Sequence, residues 1–108
     1  MLENEINMKI GVIYQKLIYD QLKYKEIIDF ISFYEKNVSL DDFPWNILCR
    51  TQEIDINLYS NYENYFDIND IIEYQDFLND YIIRKYCDDI DWQLLSVLYG
   101  KFQNVTAM

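Results

Sequence analysis

A chain of 108 residues, 51% of them hydrophobic and 18% aromatic, is long enough for one modest core and too apolar to stay disordered. Nineteen acidic against nine basic residues leave a net charge of −10, which argues against direct contact with nucleic acid, because phosphates are held by Lys and Arg. The absence of histidine removes the commonest general base near neutral pH, the usual nucleophile–base pairs and most zinc sites, and two glycines cannot build a phosphate-cradling loop.

The first predicted element covers residues 3–22, where Ile6, Ile10, Ile13, Leu17 and Ile18 recur at helical spacing. Gly11 lies inside it and weakens it slightly. A second apolar run, Tyr24, Ile27, Ile28, Phe30, Ile31, Phe33 and Tyr34, predicts a helix over 24–37, either separate from the first or continuous with it. That run is rich enough to be the centre of a core or a self-contact, and Ile27, Phe30, Ile31 and Tyr34 are its candidate oligomer-contact residues. Asn37 and Ser39 then break the pattern.

Beyond Ser39 the chain changes character. Residues 1–38 hold six acids and five bases, whereas residues 39–108 hold thirteen acids and four bases. An internal repeat also begins. Trp45, Ile68 and Trp92 stand 23 and 24 residues apart. Two positions before them are Phe43, Phe66 and Ile90, and three after them are Leu48, Ile71 and Leu95. One position after them are the amides Asn46, Asn69 and Gln93. Gln52 and Gln75 share the seventh position, where Tyr99 departs.

Each unit reads as a helix pair. In the middle unit Asp67 or Asn69 caps a helix through Ile71, Ile72 and Tyr74, a break falls near Gln75–Phe77, and Asn79 caps a helix through Ile82, Ile83 and Tyr86. Asp88, Asp89 and Asp91 open the next unit and suit its helix N-terminus. Pro44 stands where a first-turn proline is tolerated. In the first unit Asn57, Asn61 and Asn64 interrupt the second helix. So short a unit cannot bury its own apolar face and must stack on its neighbours.

The expected fold is therefore all-α: a small helical array of stacked short helix pairs with an N-terminal helical cap. The expected organisation is a single domain over 1–108. Within it, 1–38 forms a cap or dimerisation element, 39–102 about two and a half repeats, and 103–108 a frayed tail. One proline and two glycines disfavour a turn-rich all-β alternative. Cys49 and Cys87 match no metal or redox spacing and are expected as buried thiols in a reducing compartment. Trp45 and Trp92 are expected to plug seams between stacked units.

The stretch from Leu78 to Ser96, with Ile90-Asp91-Trp92 at its centre, resembles a short tandem repeat common in proteins of large DNA viruses. That repeat pairs an "IDW" opening with a helix, a glutamine and a second helix. The likeness is good over 66–96, fair over 43–52 and absent before 39. Ile68 replaces the repeat's Trp, and Asn79-Asp80 its Ser-Glu. The resemblance implies a viral, helical, interaction-type protein and carries over no catalytic residue.

The function expected from these readings is that of a non-enzymatic interaction module. It would bind a basic host or viral protein through an acidic, Tyr-rich face bearing Asp67, Asp70, Glu73, Asp76 and Asp80. Asp76 and Asp80 would be i,i+4 neighbours on one helix, and Asp70 and Glu73 i,i+3 neighbours, with like-charge strain that a basic partner relieves. One alternative is an acidic mimic of nucleic acid, of the anti-restriction or anti-CRISPR kind. Another is a structural virion component, homodimeric through residues 3–37. No cofactor, no metal and no membrane contact is expected. Glu3 and Glu5 interrupt any leader-like apolar run, so the secretory route is not expected, and the resemblance implies host cytoplasm or nucleus, or the virion.

Overall fold

A computed structural model describes residues 2–99, which places the expected tail at 103–108 outside the described residues. The fold is all-α, with no strand among the described residues. Among the described residues seven helices follow one another: α1 (Glu3–Tyr19), α2 (Tyr24–Asn37), α3 (Trp45–Thr51), α4 (Ile56–Tyr62), α5 (Ile68–Tyr74), α6 (Asp80–Lys85) and α7 (Trp92–Tyr99). Single 3-10 turns at Leu40–Asp42 and Glu63–Tyr65 precede α3 and α5. The chain divides between Ile54 and Asp55 into two compact units. The sequence change at Ser39 lies inside the first of them, so that unit holds α1–α3 and the second holds α4–α7.

In the first unit α1 and α2 are separate helices, joined by an extended turn at Asp20–Lys23. Ile13 and Leu17 of α1 are fully buried, and Ile6 and Ile10 are half-buried beside them. Ile18, grouped with them by spacing, is exposed instead: it lies about 100° around the helix from Leu17 and falls off the packed face. Gly11 points into open space. The expected self-contact on α2 is also corrected. Ile27, Phe30, Ile31 and Tyr34 are all buried within the chain, between 1% and 7% exposed. They form an aromatic and aliphatic seam in which the Tyr34 ring meets Phe43 edge-on at 5.0 Å and Phe43 meets Trp45 at 4.7 Å. Burial, with lesser repulsion from Tyr14 and Asp42, pushes the Tyr34 hydroxyl up to about 12.

The repeat register is visible in the fold. Trp45, Ile68 and Trp92 are each the first residue of a short helix, α3, α5 and α7. Both tryptophans donate their indole N–H to the carbonyl five residues back, Trp45 to Leu40 at 2.7 Å and Trp92 to Cys87 at 3.1 Å. Leu48 and Ile71, equivalent in register, are both fully buried. Gln52 and Gln75 each follow the last residue of their helix and are each 5% exposed. Their backbone N–H groups close the helix on Leu48 and Ile71, each at 3.0 Å.

Gln52 shows what the glutamine is for. Its side-chain Nε2 donates to the carbonyls of Leu17 and Asp20 at 2.8 and 2.7 Å, and its Oε1 accepts from the Leu22 N–H at 2.9 Å. These are polar groups at and just past the end of α1, which would otherwise lack partners. Helices often finish on a left-handed glycine that satisfies such groups locally. This chain has two glycines and no described residue with positive φ, so a side chain from 30 or more positions away does that work.

In the second unit α4 gives way to a 3-10 turn at Glu63–Tyr65, where Asn61 and Asn64 interrupt the apolar pattern. Among its described residues Leu58, Tyr59, Ile68, Ile71, Ile72, Ile82 and Ile90 are buried. Tyr59 packs its ring on Phe66 and Phe77 at 5.8 and 5.2 Å. The register-equivalent helices α5 and α7 pack against each other.

Candidate interaction surface

The second unit concentrates the charge: residues 55–108 hold ten acids against Arg84, Lys85 and Lys101, a net −7. Part of that acidity is built into the helix starts. Asp55 accepts from the Leu58 N–H at 2.8 Å and Asp67 from the Asn69 N–H at 2.8 Å. Asp91 accepts from both Gln93 and Leu94 at 3.1 Å, and Asn79 caps α6 through Ile82 at 2.9 Å. A carboxylate at these positions satisfies free amides and meets the positive end of the helix dipole. Asn69, the repeat amide, braces the approach to α7. Its Nδ2 donates to the Asp89 carbonyl at 3.2 Å and its Oδ1 accepts from the Asp91 N–H at 2.7 Å.

The five acids expected to form one face separate into three situations. Asp67 is exposed, with one oxygen engaged in its cap. Glu73, near the end of α5, and Asp80, the first residue of α6, are exposed. Asp76 is also exposed, but it lies on a bend between the helices, so no helix spans Asp76 and Asp80 and the expected i,i+4 pair does not exist. Asp70 is 9% exposed and has its own partners, so it is not part of an exposed docking face. At 100° per residue both Asp70 and Glu73 lie on the side of α5 away from Ile68, Ile71 and Ile72, so the burial of Asp70 does not come from the apolar stripe of its own helix.

Aromatic side chains stand among the exposed acids. Tyr74 is 44% exposed, Tyr81 70% and Trp92 50%. In sequence Tyr74 lies between Glu73 and Asp76, Tyr81 follows Asp80, and Trp92 follows Asp91. Trp45 is buried as a seam residue should be, but Trp92 is not, which corrects the expectation that both plug a seam. Cys87 is corrected likewise: Cys49 is buried, whereas the Cys87 thiol is exposed, 3.9 Å from an Asp88 carboxylate oxygen.

A polar network that sequence reading missed braces this surface from within the unit. Lys85 Nζ donates to Glu63 Oε1 at 2.6 Å, and the Tyr86 hydroxyl donates to Glu63 Oε2 at 2.9 Å. The Tyr59 side chain bonds in turn to Tyr86, and Lys85 also sits over the Tyr81 and Tyr86 rings at 6.0 and 5.7 Å. The Lys85 and Tyr86 hydrogen bonds hold the Glu63 carboxyl below its ordinary value, and Glu63 holds Lys85 above its own. Burial raises Tyr86, with Glu63 adding to it, and burial and the Tyr86 bond raise Tyr59. The partners lie 22 and 23 residues from Glu63, beyond any local pattern.

This network sets a pH window. A depressed Glu63 stabilises the fold above its unfolded value of about 4.3 and loses that contribution as pH falls through the folded value below it. A raised Lys85 contributes below its unfolded value of about 10.4 and loses it as pH rises further. Thermal melts of Glu63→Gln and the unaltered chain should therefore differ by a constant amount from about pH 5 to 9 and converge as pH falls through the range in which the folded carboxylate takes up its proton.

Among the described residues no group of three Cys, Asp or Glu is disposed to hold a metal ion. None of the described helices is long and apolar enough to cross a membrane. Comparison with protein-family models, curated proteins and solved structures finds no match for this chain.

Proposed function

We propose that the protein is an acidic interaction module whose second unit docks a basic protein partner, without catalysis. The observation that carries this reading is the interleaving of exposed carboxylates with exposed aromatic rings. Tyr74 and Tyr81 follow Glu73 and Asp80 in sequence with Asp76 between them, and Asp91 adjoins Trp92. Carboxylates alone serve solubility, but exposed Tyr and Trp cost free energy in water and are the residue types that carry binding energy at interfaces. Acidic rims around such anchors steer a basic partner and select against acidic ones. The likeness to viral repeat segments over 66–96 supports an interaction role in a virus-infected cell, in cytoplasm, nucleus or virion.

A second reading, mimicry of nucleic acid, is favoured by the net −7 of residues 55–108. The two separate in one experiment. The chain is used as bait in lysate, and captured proteins are challenged with duplex DNA or compared with a Tyr74→Ala/Tyr81→Ala bait. Both tyrosines are exposed, so that variant should keep its helical spectrum. Docking through aromatic anchors predicts at least about a tenfold loss of capture by the double variant and no displacement by DNA. Mimicry predicts full displacement by DNA and little effect of the tyrosines. Capture insensitive to both would overturn both readings.

A further inference from the structure

The second unit already holds one cation in the way an acidic, aromatic surface would hold a partner's. Lys85 Nζ lies 2.6 Å from Glu63 Oε1, 6.0 Å from the centre of the Tyr81 ring and 5.7 Å from that of Tyr86. A carboxylate and two rings around one positive centre make a cation-recognition arrangement. The acid supplies charge and an acceptor, and the rings supply their negative faces. The cradle is pre-built: the Tyr86 hydroxyl fixes the carboxylate by donating to Glu63 Oε2 at 2.9 Å, and Tyr59 bonds to Tyr86 in turn. It is also open to solvent, since Tyr81 is 70% exposed and the Lys85 side chain 40%.

Resting on the docking role proposed above, we propose that Glu63, Tyr81 and Tyr86 form the site for an arginine side chain of the basic partner, and that Lys85 fills it as an internal placeholder. Lys85 is suited to leave. It is the last residue of α6, one turn beyond Tyr81, on a flexible four-carbon stem that can swing into water without moving a helix. An ion pair this exposed adds little net stability, so displacing it costs the fold little. Glu63 keeps the Tyr86 hydroxyl when Lys85 departs. A guanidinium fits the vacated place better than an ammonium, because it stacks flat on a ring while its fork of N–H donors meets a carboxylate. Tyr81 belongs to the exposed docking rings, so the site lies within the proposed surface. The placeholder lowers the partner's apparent affinity by the fraction of time the cradle stands free.

The test is calorimetric titration of the full chain with a capped hexa-arginine peptide at fixed salt. A cradle filled about nine-tenths of the time predicts that Lys85→Met binds the peptide about tenfold more tightly than the unaltered chain. Arg84→Met is exposed on the same helix and changes net charge equally, and it should gain less than about threefold. Lys85→Arg keeps the cradle filled and should bind no tighter than the unaltered chain. Adding Glu63→Gln or Tyr81→Ala to Lys85→Met should abolish the gain. Helical spectra check that each variant folds, and Lys85→Gln replaces Lys85→Met if that variant does not. A Lys85→Met gain no larger than that of Arg84→Met would overturn the proposal, as would a gain that survives Glu63→Gln. If that happens while capture from lysate still depends on Tyr74 and Tyr81, this site alone falls and the docking role stands. A full gain without any captured partner would do the reverse.

Discussion

Gln52→Ala should destabilise the first unit by about 3 kcal/mol, because it strips three hydrogen bonds from the chain around the end of α1. The Leu17 carbonyl is reached in a buried setting, so losing Nε2 leaves a buried acceptor without this donor. Gln52→Glu makes the sharper comparison. It keeps the shape and the acceptor for Leu22, but it turns the donor facing the Leu17 and Asp20 carbonyls into a buried anion. Burying an unpaired charge against two acceptors should cost at least as much as the alanine change, despite the better fit. Chemical denaturation of both variants checks this. A Gln52→Glu variant as stable as the unaltered chain would mean the amide is not the end-cap of α1.

Leu48→Ala and Ile71→Ala should each cost about 3 kcal/mol, since both side chains are fully buried at the same repeat position. Val97→Ala, on the exposed side of a helix of the same type, should stay within about 0.5 kcal/mol. Similar losses at Leu48 and Ile71 would show that the register has the same energetic meaning in both units. Urea denaturation, with the slope checked for constancy, reads this directly.

Much of this fold is written locally in the sequence. The spacing of Trp45, Ile68 and Trp92 marks the first residues of α3, α5 and α7, and the apolar run at 24–37 coincides with α2. Asp67 and Asn79 cap the helices their positions suggest, because a cap depends on amides only two or three residues away. What escapes sequence reading depends on distant partners. The repeat glutamine is visible as a recurring letter, but its bonds to Leu17, Asp20 and Leu22 lie 30–35 residues back. The Glu63 network spans 22–23 residues and leaves no periodic trace. Side-chain direction is the other loss. Asp70 and Glu73 look alike as letters and lie on the same side of α5, yet one is buried and the other exposed. The apolar surplus of α2 is explained by the burial of Ile27, Phe30, Ile31 and Tyr34 within the chain.

The acidic surface differs in kind, because carboxylates that bind and carboxylates that only solubilise have the same composition. The proposed binding role rests on the exposed rings that follow Glu73, Asp80 and Asp91 in sequence. One charge-matched comparison measures it. Capture from lysate is run with the unaltered chain, with Glu73→Lys/Asp76→Lys/Asp80→Lys, and with Glu3→Lys/Glu5→Lys/Asp29→Lys, all six acids being exposed. The two triple variants change net charge equally, so only the place of the charge differs. The account predicts a partner held by the unaltered chain and by the first-unit variant, but lost by the second-unit variant at the same salt. Equal behaviour of the two variants would contradict it, and would reduce the acidity of residues 55–108 to a means of staying in solution.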